Sequence, residues 1–277
     1  MLVAAGANVN ARSSDGCTPL MNACIHVEVC RALLSHGADA TATIIDMFVS
    51  AGANINAKSV RDRTPLMYAA TCPKAVRALV RLGADVTLAD CDGYTAIFRA
   101  KDKEVVDMLA AAGADVDAKA EYGITPLMNA CRDQLNNESS IEAARALLDN
   151  GASVNMQDDD RRTCLCVIFT DKCDCVFAMA DLLLRSGADE KIADSRGLLP
   201  VDWLRVRRGE IRIYEREERV QLRKMLLSAP QGRAWRRRGL LLMCMARNAG
   251  AESSLASWLE DSREGHEGIF RTVVGYI

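Results

Sequence analysis

"DGYTAIFRAKDKEVVDMLAAAGADVDAKAEYG", residues 92–123, carries two signatures in a fixed order: Thr95 ahead of a short apolar stretch, and Gly113-Ala114-Asp115 behind a longer one. Working outward, Gly-Ala-(Asp/Asn/Ser) recurs at Gly6, Gly37, Gly52, Gly83, Gly113, Gly151 and Gly187. Thr-Pro-Leu-Met stands at Thr18, Thr64 and Thr125, with the variants "TAIF" at Thr95 and "TCLC" at Thr163. Two alternating signatures mark a repeat array, whose units cannot bury their apolar faces alone and are stabilised by stacking.

Each slot has a physical reason. Thr at a helix start caps free N–H groups of the first turn, and Pro just inside tolerates its missing donor. The small pairs Ala23-Cys24, Ala69-Ala70 and Ala130-Cys131 let neighbouring helices approach. The second helix places apolar residues on one face, as in Val29, Ala32 and Leu33 with His36 at the same spacing, and a left-handed Gly closes it.

These residues resemble the ankyrin repeat, whose unit carries Thr-Pro-Leu-His at its first helix, an apolar second helix and then Gly-Ala-Asp-Val-Asn. The resemblance covers about residues 1–205. It implies an all-α fold: an ankyrin-type helical repeat solenoid of about six units with short hairpin-like turns and a helical C-terminal extension. We expect a capping helix within 206–230, its charged amphipathic part at 211–228, and a tail of unassigned type at 231–277.

Departures from the family pattern are specific. Met21, Met67, Phe98 and Met128 stand where the family has His, exchanging a hydrogen bond worth about 0.5–1.5 kcal/mol for apolar burial. The steps from Thr to the next Gly number 19, 19, 18, 26 and 24, so the last two units carry longer loops, "RDQLNNESS" and "TDKCDC". Gly37 to Gly52 is only 15 residues, which leaves half a unit absent near residue 43, and the first unit starts inside its second helix. We read this as a shortened version of a longer array, with about sixteen further residues expected between Ala42 and Thr43.

Composition sets wider bounds. The chain has 277 residues, 49% hydrophobic and 26% charged, with a formal net charge of −2, as in an ordinary globular protein. Its longest apolar run, Leu240–Ala246, is far short of the roughly 20 residues that cross a bilayer. No secretory leader is legible, so the eleven cysteines are expected as reduced thiols in an intracellular protein, cytoplasmic or nuclear. Charge is uneven: residues 1–199 hold 20 Lys/Arg against 27 Asp/Glu, and residues 200–250 hold 13 against 5.

Four cysteines, Cys164, Cys166, Cys173 and Cys175, raise the question of a metal. Cys164 and Cys166 occupy helix-start slots two residues apart, so they point about 200° from one another. A tetrahedral site needs convergence, and none is expected. The basic residues from Arg205 to Arg223 alternate with glutamates, as on a solvated helix surface. No phosphate-binding loop or nucleophile elbow is present, and the three histidines, His26, His36 and His266, do not suggest a triad. The protein is expected to be no enzyme and to hold no cofactor or metal.

Recognition remains. The turn slots read Asp15/Cys17, Arg61/Arg63, Asp92/Tyr94, Tyr122/Ile124, Asp160/Arg162 and Arg196/Leu198, and the first helices add Asn22, Tyr68, Arg99 and Asn129. Tyr and Arg in such slots have the composition of binding anchors. The reading is a non-catalytic protein–protein interaction scaffold or adaptor, monomeric, whose partners are other proteins, with no membrane span and nucleic acid not expected. One alternative is an adaptor recruiting ubiquitin or signalling machinery through its tail; another is a zinc- or nucleic-acid-binding protein.

Overall fold

The computed structural model describes residues 7–25, 40–132, 137–170, 176–203, 207–208, 211–212 and 220–227. The chain divides into two compact units, Met1–Leu226 and Leu227–Ile277. The first contains the repeats. The expected helix at Val29–His36, Gly37, the Cys173/Cys175 loop and the 231–277 tail lie outside the described residues.

Helices alternate between an inner and an outer row. The inner row is α1 (Pro19–Ile25), α3 (Pro65–Ala69), a 3₁₀ turn (Ala96–Arg99), α6 (Pro126–Arg132), α8 (Cys164–Thr170) and α10 (Pro200–Trp203). The outer row is α2 (Ala40–Ser50), α4 (Pro73–Arg81), α5 (Lys103–Ala111), α7 (Asn137–Asp149) and α9 (Val176–Arg185). Each inner element before α10 packs on its own outer helix and on the next inner element, and successive outer helices pack on one another. The array is a two-row α-solenoid.

Capping chemistry fixes where the inner helices begin. Met21, Met67 and Met128 donate their backbone N–H groups to the hydroxyls of Thr18, Thr64 and Thr125 at 3.4, 3.4 and 3.3 Å. The third unit lacks both the proline and this cap, and has the shortest span between its Thr and Gly. Its inner element tightens into the 3₁₀ turn Ala96–Arg99. Leu20, Leu66, Ile97, Leu127 and Leu165 follow each Thr by two residues and are fully buried. The residues in the family's His slot, Met21, Met67, Phe98, Met128 and Cys166, are buried beside them.

Glycine closes the outer helices for a geometric reason. At the end of α4, Gly83 has φ +87° and Ala84 donates to Leu79 O at 2.9 Å, the six-to-one bond of a Schellman end. The alanines after Gly52, Gly83, Gly113, Gly151 and Gly187 are buried, which accounts for the recurrent Gly-Ala pair.

Near residue 43, α2, which Gly52 closes, packs on α1 and on α4. The structure differs from the sequence expectation in one place of organisation. At the other end, the expected capping helix does not run through 211–212. Arg207–Arg208 and Ile211–Arg212 pair as two short antiparallel strands, β1 and β2, and helix is described only at 220–227. Gly209 and the β-branched Val206 and Ile211 disfavour helix there. Leu222 and Leu226 are buried.

Candidate partner-binding surface

Between an outer helix and the next inner one, the chain forms a hairpin-like turn with one plan throughout. In the third turn, Asp90 N–H donates to Tyr94 O at 3.0 Å and Gly93 N–H to Asp90 O at 3.0 Å. The same pair of bonds joins Ser13 with Cys17 and Gly16, Ser59 with Arg63 and Asp62, Ala120 with Ile124 and Gly123, Asp158 with Arg162 and Arg161, and Asp194 with Leu198 and Gly197. The fourth residue of each turn is left-handed, and it is not always glycine: Asp62 has φ 57° and Arg161 φ 59°.

Consecutive turns are tied by backbone alone. Val60, Cys91, Glu121, Asp159 and Ser195 donate their N–H groups to the carbonyls of Asp15, Arg61, Asp92, Tyr122 and Asp160, at 2.8–3.1 Å. Each acceptor is a first-named turn-slot residue, so the residues singled out by sequence are those whose carbonyls carry the ladder. Gly123 shows how close the turns stand: a Cβ there would lie 2.5 Å from Asp159 Oδ1 and 3.0 Å from Asp159 N.

A second ladder runs through the loops after the outer helices. Asn10 Oδ1 accepts from Asn54 N at 2.8 Å, Asn56 Oδ1 from Asp85 N at 3.0 Å, Asp117 Oδ1 from Ser153 N at 2.8 Å and Asn155 Oδ1 from Asp189 N at 2.7 Å. Thr87 takes the corresponding slot in the third unit and turns its hydroxyl to Asp85 Oδ1 instead, at 2.6 Å. That bond and the Thr87 N–H hold the Asp85 carboxyl below its ordinary value.

The turn anchors are the functional residues that sequence reasoning missed. Asp90, Asp158 and Asp194 stand five positions before Thr95, Thr163 and Leu199 and are buried. Through Oδ1 they accept from Tyr94, Arg162 and Leu198 N–H at 2.8–2.9 Å. Ser13 and Ser59 do the same with their hydroxyls for Cys17 and Arg63. The shared register was the available signal, since Asp and Ser side chains mimic a backbone acceptor in such turns.

Asp15, Asn22, Arg61 and Asp160 are exposed. Tyr122 is 65% exposed, and the neighbouring Glu121 carboxylate accepts its hydroxyl and raises its pKa. Arg63, Tyr68, Asp92, Tyr94, Arg99, Asn129 and Arg162 are half-buried. Ile124 is a correction: at 4% exposure it belongs to the core, because an apolar side chain just before the capping Thr125 turns inward with it. Asn129 is partly committed inward, donating to Phe98 O at 2.8 Å. Tyr94 packs edge-on against Phe98 with centroids 5.0 Å apart, and the Arg196 guanidinium lies 4.5 Å from the Trp203 ring centroid. Tyr68 OH and Cys17 Sγ meet at 3.7 Å across two units. Val60, 73% exposed at a ladder donor, escaped the sequence reading.

Cys164 and Cys166 lie fully buried at the start of α8, and burial pushes the Cys166 thiol up, away from the thiolate a metal would need. Among the described residues, no group of three or more His, Cys, Asp and Glu side chains is placed to hold a metal ion. Also among them, no helix is long and apolar enough to cross a membrane.

Paired helices, left-handed Gly-Ala closures and laddered turn tips define a helical-repeat binding solenoid. Family models for ankyrin repeats match residues 15–43, 41–120 and 99–194, and the chain belongs to the ankyrin-repeat family. Ankyrin repeats are generally protein–protein interaction modules and typically non-catalytic. Similar solved structures include the ankyrin repeat domain of Bcl-3, a member of the IkappaB family, with TM-score 0.58 and 24% identity over 80% of this chain and 89% of that one. Another is an ankyrin repeat domain, ABAYE2397, from Acinetobacter baumannii AYE, with TM-score 0.58 and 23% identity over 76% and 97%. At these identities the likeness concerns the fold. No curated protein matches the sequence.

Proposed function

We propose that the chain is a non-catalytic scaffold or adaptor that binds a protein partner with its turn tips and inner-helix face, acting as a monomer inside the cell. The observation that carries this is the continuous ladder of five backbone hydrogen bonds between turns. It holds Asp15, Arg61, Tyr122 and Asp160 at fixed positions before any partner arrives, so docking costs little conformational entropy. The side chains on the ladder vary while its backbone does not, which separates partner choice from folding.

The test is crosslinking capture from cells with the full-length chain and with an Arg61→Ala/Tyr68→Ala/Tyr122→Ala variant of equal thermal stability. The captured set is expected to fall by about tenfold or more, since Tyr and Arg dominate interface energies. Unchanged capture retires the reading.

A further inference from the structure

One buried carboxylate in the array faces two cations. The Asp90 side chain is wholly buried; its Oδ1 is taken by Asp92 N–H at 3.1 Å and Tyr94 N–H at 2.9 Å. Its Oδ2 lies 3.5 Å from Arg63 Nε and 3.3 Å from Arg99 Nη2. Arg63 closes the second turn and Arg99 ends the 3₁₀ turn of the third unit, so one aspartate spans two units. The cluster therefore carries two positive charges and one negative.

The donors are under-used as well. A guanidinium has five N–H groups. Arg99 makes one hydrogen bond, at 3.3 Å, and the contact from Arg63 at 3.5 Å is an ion pair rather than a hydrogen bond. Arg63 Nε and Arg99 Nε are both withdrawn from water without a hydrogen-bond partner. The remainder of each side chain keeps 26% and 34% of its surface, so a ligand can reach the pair.

We infer that the Arg63–Asp90–Arg99 cluster is the recognition point for one acidic side chain of the partner, an aspartate or glutamate in a protein segment. This rests on the scaffold reading above and names the partner's chemistry. One carboxylate would bring the cluster to neutrality, and its two planar oxygens match the forked N–H groups of the guanidiniums. A phosphate dianion would overshoot the surplus by one charge. A nucleic acid needs a track of cations, whereas here the neighbouring tips carry Asp15 and Asp92 beside Arg61, and residues 1–199 hold seven more acids than bases. A small positive site within an acidic body admits a single acidic residue and repels an acidic run.

The experiment selects ligands for the intact chain from a random linear peptide library displayed on phage. An enriched peptide is then synthesised with its acidic residue and with that residue replaced by its amide. Affinities are measured for the natural chain, Arg63→Gln/Arg99→Gln, and Arg77→Gln, an exposed outer-helix arginine paired with Glu104. Removing either the acid or the arginine pair is expected to weaken binding about tenfold or more, with no further loss when both are removed. Arg77→Gln should bind as the natural chain does.

In the unaltered protein, the side-chain Nε–H resonances of Arg63 and Arg99 should shift with the acidic peptide and not with its amide, a readout that survives any folding defect of the variant. Peptides that bind the inner face without coupling to Arg63 and Arg99 overturn the inference and leave the scaffold reading standing. Selection of no peptide overturns the inference, and combined with unchanged capture by the Arg61/Tyr68/Tyr122 variant it overturns both. Binding of a labelled single-stranded RNA that is lost in the Arg63→Gln/Arg99→Gln variant overturns the acidic-residue assignment.

Discussion

The third and fifth turns place a buried aspartate at the same position and surround it differently. Asp90 Oδ2 is shared loosely by Arg63 and Arg99, at 3.5 and 3.3 Å, from two units. Asp158 Oδ2 is gripped by Arg162 of its own turn through Nε at 2.9 Å and Nη2 at 2.8 Å, while Asp160 lies 3.1 Å from the same guanidinium. One cluster is left with a surplus positive charge and the other with a surplus negative one. The backbone of the turn requires only an acceptor at this position. The counterion is free to differ between units, and that freedom sets the local charge of the inner face without altering the solenoid.

The largest effect should separate the two aspartates. Asp158→Ala strips Arg162 of a bidentate partner and orphans a buried turn N–H, and is expected to destabilise by about 3 kcal/mol; the quarter-exposed arginine keeps this at the low end of buried-pair losses. Asp90→Ala should cost about 2 kcal/mol, since its arginines stand farther from the carboxylate, at 3.5 and 3.3 Å. Urea midpoints at constant slope measure both, and equal losses would break the comparison.

Next come the cations. Arg162→Gln leaves Asp158 buried with backbone donors only and should cost about 2 kcal/mol, whereas Arg99→Gln leaves Arg63 in place and should cost under about 1 kcal/mol. A double-mutant cycle with each aspartate gives the coupling directly, and a larger coupling for Arg99–Asp90 would reverse the assignment.

The left-handed residue of the two turns gives a smaller contrast. Gly93, at φ +81°, has Ala120 Cα only 3.1 Å from where a Cβ would stand, so Gly93→Ala should cost about 1–2 kcal/mol in thermal unfolding. Arg161 holds the equivalent conformation with a full side chain. Arg161→Gly should relieve about 1–2 kcal/mol of backbone strain against about 0.5–1 kcal/mol of added chain entropy, a net gain of about 0.5 kcal/mol. A loss of stability there would mean that the Arg161 side chain makes a contribution this comparison omits.

Much of the architecture was legible because its causes are local. Thr18, Thr64 and Thr125 cap helices within three residues of themselves, and Gly83 with Ala84 closes a helix through bonds that span six positions. The turn tips were legible in part: Asp15, Arg61, Asp92, Tyr122 and Asp160 emerged from register alone, but Ile124 did not separate from them, because a turn position says nothing about which way a side chain faces.

By itself, then, the sequence determined the repeat, its period, its helix starts and stops and the row of turn tips, since capping, helical spacing and left-handed closure act over a few residues. Only the tertiary structure decided which aspartates are withdrawn from water and which arginines reach them. Those outcomes depend on contacts between units tens of residues apart, where Arg63 and Arg99 meet one carboxylate because two turns are stacked and not because of any pattern either turn carries alone.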